Sequence, residues 1–276
     1  MTPDLTTHNG RSRLRLDRRL PAPVERVWPY ITEAELFGRW YPATAREMDA
    51  RPGGRIELDY GEGITVTATV AQLEENALLT LVEPAMADMP HEGDSLLRIE
   101  LHPDGEGTVL LFAQEFDDRP AAASYAAGWE GCLDALENAL AGREASVAAP
   151  AVERHQHYVR LFGLDEPSVA AHEVMVERQL MGQSAEKVWR VLLPDGDPDL
   201  TALVPPELGE ATVIDHIADV LLVLTLPDGS AISWEMQSGP GGARLVVAHS
   251  PLSVEDEGPI WRAHVEKLVD RIIAAD

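Results

Sequence analysis

Apolar residues recur along this chain in two rhythms, a period of two and a period near 3.6, and the passage from the first to the second happens twice. Met1 to Gly10 is polar and reads as a frayed end. From Arg13 to Leu20, apolar Leu14, Leu16 and Leu20 are interspersed with charged residues, as in a half-buried strand. Pro21-Ala22-Pro23 stops it, after which Val24, Val27, Trp28 and Ile31 share one helical face. Pro29 lies inside that segment and removes a backbone donor, which predicts a kinked or shortened helix. Ala34 to Trp40 reads as a second short helix presenting Leu36, Phe37, Trp40 and Tyr41.

A run of strands follows. Ile56, Leu58 and Tyr60 share one face between the turns Pro52-Gly53-Gly54 and Gly61-Glu62-Gly63, and Ile64, Val66, Ala68 and Val70 continue the alternation. Leu78 to Val82, Leu97 to Leu101 and Val109 to Phe116 complete the set, interrupted by a loop with Met and Pro residues from Pro84 to Gly93. The rhythm then changes. From Ser124 to Leu140, the large residues Tyr125, Trp129, Leu133, Leu136 and Leu140 stack into one stripe of a long helix, which needs an apolar partner. The strands before it offer that partner, so a sheet wrapped on a helix is expected.

The same succession returns in the second half. Trp261, Val265, Leu268 and Ile272 answer Trp129, Leu133, Leu136 and Leu140 at an offset of 132. Ser184-Ala185-Glu186-Lys187-Val188-Trp189 answers Pro23-Val24-Glu25-Arg26-Val27-Trp28 at an offset of 161. Between them, Thr212-Val213 and Leu221 to Leu224 answer Thr69-Val70 and Leu78 to Leu81 at an offset of 143. The shrinking offsets describe a tandem repeat whose second copy is shortened by 18 residues after its first helix and by 11 before its last. Strands are expected at 211–217, 220–226, 231–236 and 243–249, after a strand holding Val174 and Val176, with a helical stretch from Val152 to Phe162 between the copies.

Composition narrows the function classes. The formal charge of -25 opposes binding to nucleic acid or to an anionic membrane surface, both of which are polyanions. One cysteine, Cys132, allows neither an internal disulfide nor a multi-cysteine metal site, and the sequence has no apolar run of the roughly 18 residues a membrane span requires. A cytoplasmic protein is expected. Walker, GxGxxG, HExxH and nucleophile-elbow patterns are absent from the sequence, so no cofactor is expected, and His155 and His157 point to different faces of their helix, which argues against a shared metal.

The first copy resembles the START-like (SRPBCC, helix-grip) superfamily, in its branch of bacterial activator of Hsp90 ATPase homologue-like proteins. Pro23 to Trp28, Phe37-Gly38-Arg39-Trp40-Tyr41, Pro52-Gly53-Gly54 and Gly128-Trp129-Glu130-Gly131-Cys132-Leu133 carry the resemblance. It covers about residues 12 to 141; 142–171 reads as a linker with a short helix and 172–276 as a truncated copy lacking the Phe37 to Tyr41 and Pro-Gly-Gly features. The resemblance implies an α+β fold of two helix-grip domains, each a curved antiparallel sheet wrapped on a long C-terminal helix, the second shortened. It also implies an apolar cavity between sheet and helix. Members of the superfamily bind lipids, sterols, polyketides and plant hormones, and some cyclise their ligands.

The residues expected to line that cavity and bind a small hydrophobic molecule are Trp40, Ile56, Leu58, Val66, Ala68, Leu79, Ile99, Leu101, Leu111, Ala113, Tyr125, Trp129 and Leu133. For each, a filled core is the competing reading, since apolar periodicity reports burial before it reports binding. Gly128 and Gly131 flank Trp129 although glycine in a helix interior costs about 1 kcal/mol relative to alanine, which suggests room left against the helix; close helix-to-sheet packing would explain them too. Cys132 reads as an inert core thiol, and Glu115, Asp117 and Asp118 as charges suited to a helix N-terminus rather than a catalytic pair. The leading expectation is a non-catalytic or weakly catalytic binding protein, monomeric with the second copy acting as an internal pseudo-dimer partner or edge cover. The alternatives are a protein-interaction module acting on a chaperone or another enzyme, and a cyclase or hydrolase working inside the cavity.

Overall fold

A computed structural model of the chain describes residues 3–86, 89, 91–147, 151–170, 172–252 and 257–275. The chain divides into two compact units, Met1–His155 and Gln156–Asp276. The first holds strands β1 (Asp4–His8), β2 (Arg11–Leu20), β3 (Thr44–Met48), β4 (Arg55–Gly61), β5 (Ile64–Glu74), β6 (Leu78–Glu83), β7 (Ser95–Asp104) and β8 (Gly107–Phe116). They form one antiparallel sheet in the order β1-β2-β8-β7-β6-β5-β4-β3. Its helices are α1 (Val24–Thr32), α2 (Ala34–Phe37) and the long α3 (Ala122–Leu140).

Helix α3 buries Ala126, Trp129, Leu133, Leu136 and Leu140 and packs against β2, while α1 packs on α3, β7 and β8. Its C-terminal carbonyls, which have no partner within the helix, are met by α1: Arg26 Nη2 donates to the Leu140 carbonyl at 3.1 Å and the Tyr30 hydroxyl to that of Ala139 at 3.3 Å. Arg18 on β2 reaches Asp134 at 2.7 Å and lies 3.6 Å from both Glu130 and Glu137, which fixes the polar flank of α3 over the sheet edge.

Four features depart from the reading of the sequence. The described part of the polar N-terminal stretch is strand β1, paired with β2 through an Asn9-Gly10 turn in which both residues have positive φ, the geometry of a type I′ hairpin. Strand β3 escapes the periodicity because, of its five residues, only Ala45 is buried. Helix α1 runs through Pro29 to Thr32. Helix α2 ends at Phe37, and Gly38 to Tyr41 continue it only as a hydrogen-bonded turn.

Helix α4 (Val152–Phe162) spans the division between the units. The second unit holds β9 (Ser168–Ala170), β10 (Glu173–Met181), β11 (Thr212–Ile217), β12 (Leu221–Thr225), β13 (Ala231–Gly239) and β14 (Gly242–Ser250), with α5 (Ala185–Leu192), α6 (Leu200–Leu203) and α7 (Gly258–Ala274). Its sheet, β11-β12-β13-β14-β10-β9, is antiparallel throughout. Written as β9-β10-β14-β13-β12-β11, this is the order of the first sheet with the counterparts of β3 and β4 missing. The 18 residues by which the offset falls after the first helix lie where those two strands would stand. The fold is α+β, two helix-grip units, the second shorter.

Candidate functional site

Strand alternation decides which side chains of the first sheet face α3. On β8 the inward set is Leu110, Phe112, Gln114 and Phe116, since Phe112 packs on Trp129 with ring centroids 4.4 Å apart and Gln114 accepts a hydrogen bond from Trp129 Nε1 at 2.7 Å. Register carries this phase across the sheet to Leu97, Ile99 and Leu101 on β7 and to Leu79 and Leu81 on β6. Two expected site residues are thereby displaced. Leu111 and Ala113 pair with Asp17 and Arg15 on the opposite face, away from α3. The unbroken apolar run Val109 to Ala113 has no phase of its own, so the sequence could not say which half pointed inward.

The remaining expected residues do converge. Ile56, Leu58, Ala68, Leu79, Ile99, Leu101 and Leu133 are buried in the first core, Val66 and Trp129 nearly so, and Tyr125 half-buried. Trp40 is fully buried and donates its indole N-H to the Tyr30 carbonyl at 2.7 Å. Phe37, Trp40 and Tyr41 stack together, and Tyr41 meets Trp129 with ring centroids 5.4 Å apart. Much of the expected cavity lining is therefore a packed aromatic and aliphatic core.

At one end of this core the inward-facing positions turn polar. The phase that places Leu79 and Leu81 inside brings Glu83, and the phase of Ile56 and Leu58 brings Tyr60. Glu83 accepts hydrogen bonds from both Tyr41 Oη and Tyr60 Oη, the latter at 3.1 Å, one on each carboxylate oxygen. Its neighbour across the ladder is Ser95, which is hydrogen-bonded to Gln114 Nε2 at 3.3 Å. The polar residues thus run from Tyr60 through Glu83 and Ser95 to Gln114, opposite Trp129. The sequence reading missed Glu83, Tyr41 and Tyr60 as site residues, although the period-two spacings Leu79, Leu81, Glu83 and Ile56, Leu58, Tyr60 carried the signal.

Burial raises the pKa of the Glu83 carboxyl, a shift the two phenol hydrogen bonds partly oppose. Burial also drives both phenols above the usual tyrosine range, and the charge of Glu83 adds to it. The Cys132 thiol, close enough to Tyr60 to perturb it, is pushed up to about 12 by burial alone. Glu83 and Tyr60 lie deep among packed neighbours yet keep accessible surface, as side chains beside a void or cleft do. One turn before Cys132 on α3, a methyl group added at Gly128 would meet no atom within 4 Å. From outside, an open depression bounded by Arg39, Tyr41, Pro42, Thr44, Tyr60 and Val147 reaches the same two tyrosines.

A second acid ties the loop after β6 to the start of α3. Glu92 accepts from the Tyr125 hydroxyl at 2.8 Å and from the Asp117 backbone N-H at 2.9 Å, and burial raises its pKa. Asp117 in turn accepts from Gly93 N-H at 3.0 Å and pairs with Arg11, whose hydrogen bond holds its carboxyl below the usual range. Within 84–93, residues 87, 88 and 90 lie outside the described set. Among the described residues no group of three or more His, Cys, Asp or Glu side chains could hold a metal ion, and no helix is long and apolar enough to cross a membrane.

In the second unit Trp234 and Trp261 are fully buried, with ring centroids 6.2 Å apart, and fill the space under the sheet. Beside them His249 stands between Ser230 Oγ at 2.9 Å and Glu257 Oε2 at 2.8 Å. Those contacts resemble a serine-histidine-acid relay, but Ser230 is 1% exposed and its hydroxyl is committed to Asp228 at 2.7 Å. No substrate carbonyl can approach it, so the network is structural.

Residues 21–141 match the family described as Activator of Hsp90 ATPase homolog 1-like protein. No curated protein matches the chain. Among solved structures, CalU16 from Micromonospora echinospora is similar at 20% identity, with a TM-score of 0.47 over 59% of this chain and 97% of that one. DynU16, a protein of the dynemicin biosynthetic locus, is similar at 18% identity, with a TM-score of 0.46 over 94% of this chain and 98% of that one. MLL2253 from Mesorhizobium loti is similar at 21% identity, with a TM-score of 0.43 over 47% of this chain and 96% of that one.

Proposed function

We propose that the first unit of this chain, in which residues 21–141 match the family described as Activator of Hsp90 ATPase homolog 1-like protein, binds a small, mainly apolar molecule between sheet and α3. The observation that carries this reading is the group Tyr41, Tyr60 and Glu83, turned inward on the face that α3 covers, with Tyr41 and Tyr60 bordering an open depression. A binding site of this kind needs a mostly apolar wall for affinity and a few convergent polar groups for orientation. Burial supplies the first at about 25 cal/mol for each Å2 of apolar surface removed from water.

We read the second unit as a shortened copy that supports the fold without binding a ligand of its own. The shared strand order, the loss of β3 and β4 and the filled space at Trp234 and Trp261 support that reading.

Native mass spectrometry of the purified protein, followed by extraction of whatever denaturation releases, tests the binding. The expected result is a stoichiometric small-molecule adduct on the wild type that disappears in Gly128→Trp, a variant that fills the open space while Gly128→Ala retains it. Equal occupancy in Gly128→Trp and wild type would place the ligand elsewhere.

A further inference from the structure

Glu83 is an inward-facing carboxylate whose partners, among the described residues, are two phenols and no arginine, lysine or histidine. Several carboxylates on the outer surface of the same unit are paired with a cation: Asp59 with Arg46, Asp117 with Arg11 and Asp134 with Arg18. An acid held among apolar and aromatic groups without a cation is costly, and protein interiors offset such a charge by pairing or by protonation. Here no cationic side chain among the described residues supplies the pairing.

We propose that the ligand of the first unit carries a protonated nitrogen, which pairs with the Glu83 carboxylate among the rings of Tyr41, Tyr60 and Trp129. The proposal rests on the binding reading above and adds to it the chemical class of the ligand, an apolar body bearing an ammonium group. Three features point the same way. Each Glu83 oxygen accepts from one phenol, which leaves its other lone-pair directions for a donor that an ammonium supplies. The rings of Tyr41 and Trp129 adjoin each other and Tyr41 adjoins the carboxylate, so an ammonium paired with Glu83 would lie next to aromatic rings that favour a cation. An anionic head group would meet Glu83, and beyond it Glu92 and a chain of formal charge -25, and would be repelled.

Three probes of one length separate the chemistry from the cavity: n-octylamine, n-octanol and n-octanoate, titrated into the full chain at about 0.3 M salt to screen surface charge, with tryptophan fluorescence or calorimetry as readout. The expected result is that octylamine binds at least tenfold more tightly than octanol, and octanoate most weakly. Glu83→Gln should remove that preference, lowering octylamine affinity at least tenfold while changing octanol by less than threefold. Tyr60→Phe, which keeps the carboxylate, should retain the preference. If Glu83→Gln fails to fold, the octylamine-to-octanol ratio on wild type still decides. Equal binding of octanol and octylamine, or tighter binding of octanoate, overturns the ammonium proposal and leaves the cavity standing. Binding by none of the three overturns the cavity reading and the proposal together.

Discussion

At the scale of single residues, the groups that could carry chemistry are controlled by burial. Cys132, the one thiol of the chain, has its pKa pushed up to about 12, so at pH 8 only about one molecule in 10^4 presents a thiolate. We expect the native protein to resist Ellman's reagent at pH 8 over an hour and to react stoichiometrically once denatured. Rapid native reaction would mean that the space near Gly128 opens Cys132 to solvent. Glu83 is shifted in the same direction as a carboxyl, and the sign of its linkage follows. Its folded pKa lies above the unfolded one, so the folded state binds the proton more tightly and loses stability as pH rises from the ordinary carboxylate range through the raised value. Glu83→Gln carries no such proton. Relative to wild type the variant should gain stability as pH rises above the ordinary carboxylate range, read from urea unfolding at several pH values. A difference independent of pH, or one that moves the other way, would contradict a desolvated carboxylate at this position. The same residue shows what sequence reading loses: a glutamate that ends the run Leu78 to Val82 looks like the solvent-facing terminus of a strand, and only the shared phase with Leu79 and Leu81 says otherwise.

At the scale of elements, period two and period 3.6 located β2, β4 to β8, β10, β12 to β14, α3, α4 and α7 because they bury apolar residues in regular succession, and the offset of 143 located β11. Elements that bury almost nothing left no such pattern. Strand β1 is held by its backbone ladder to β2, and the Asn9-Gly10 pair was its one legible signal. The phase of β8 was illegible for the opposite reason, because both of its faces carry apolar residues at Leu110 to Ala113. Strand β11 is the exposed end of the second sheet, at the position where β5 in the first sheet is hydrogen-bonded to β4. All six of its residues are exposed, Ile214 by 58% and Ile217 by 50%, which leaves an apolar strand edge of the kind that drives edge-to-edge association. Ile214→Lys should therefore reduce light scattering in concentrated solutions while changing unfolding free energy by no more than about 0.5 kcal/mol. Unchanged scattering would show that this edge is not what brings molecules together.

At the scale of the whole molecule, 47 acidic residues face 22 basic ones, and the two effects of salt on such a chain oppose each other. Salt weakens the surface ion pairs, such as Arg46 with Asp59 and Arg18 with the acids of α3, which contribute little to begin with because solvent screens them. Salt also screens the mutual repulsion of the acids that have no basic partner, and with more than two acids for each base these are the larger population. Pairs more sheltered from solvent respond less: Arg178, 1% exposed in its side chain, is paired with Glu266 at 2.5 Å. Repulsion should win, and the thermal midpoint should rise as sodium chloride increases from about 20 mM to about 500 mM. The shape of the rise identifies its cause. Screening acts over a Debye length that is already about 10 Å at 0.1 M, so the gain should level off above a few tenths molar. A gain from preferential exclusion of the solute would instead continue in proportion to concentration. A midpoint that falls with salt would mean that the ion pairs hold this fold more firmly than the excess negative charge strains it.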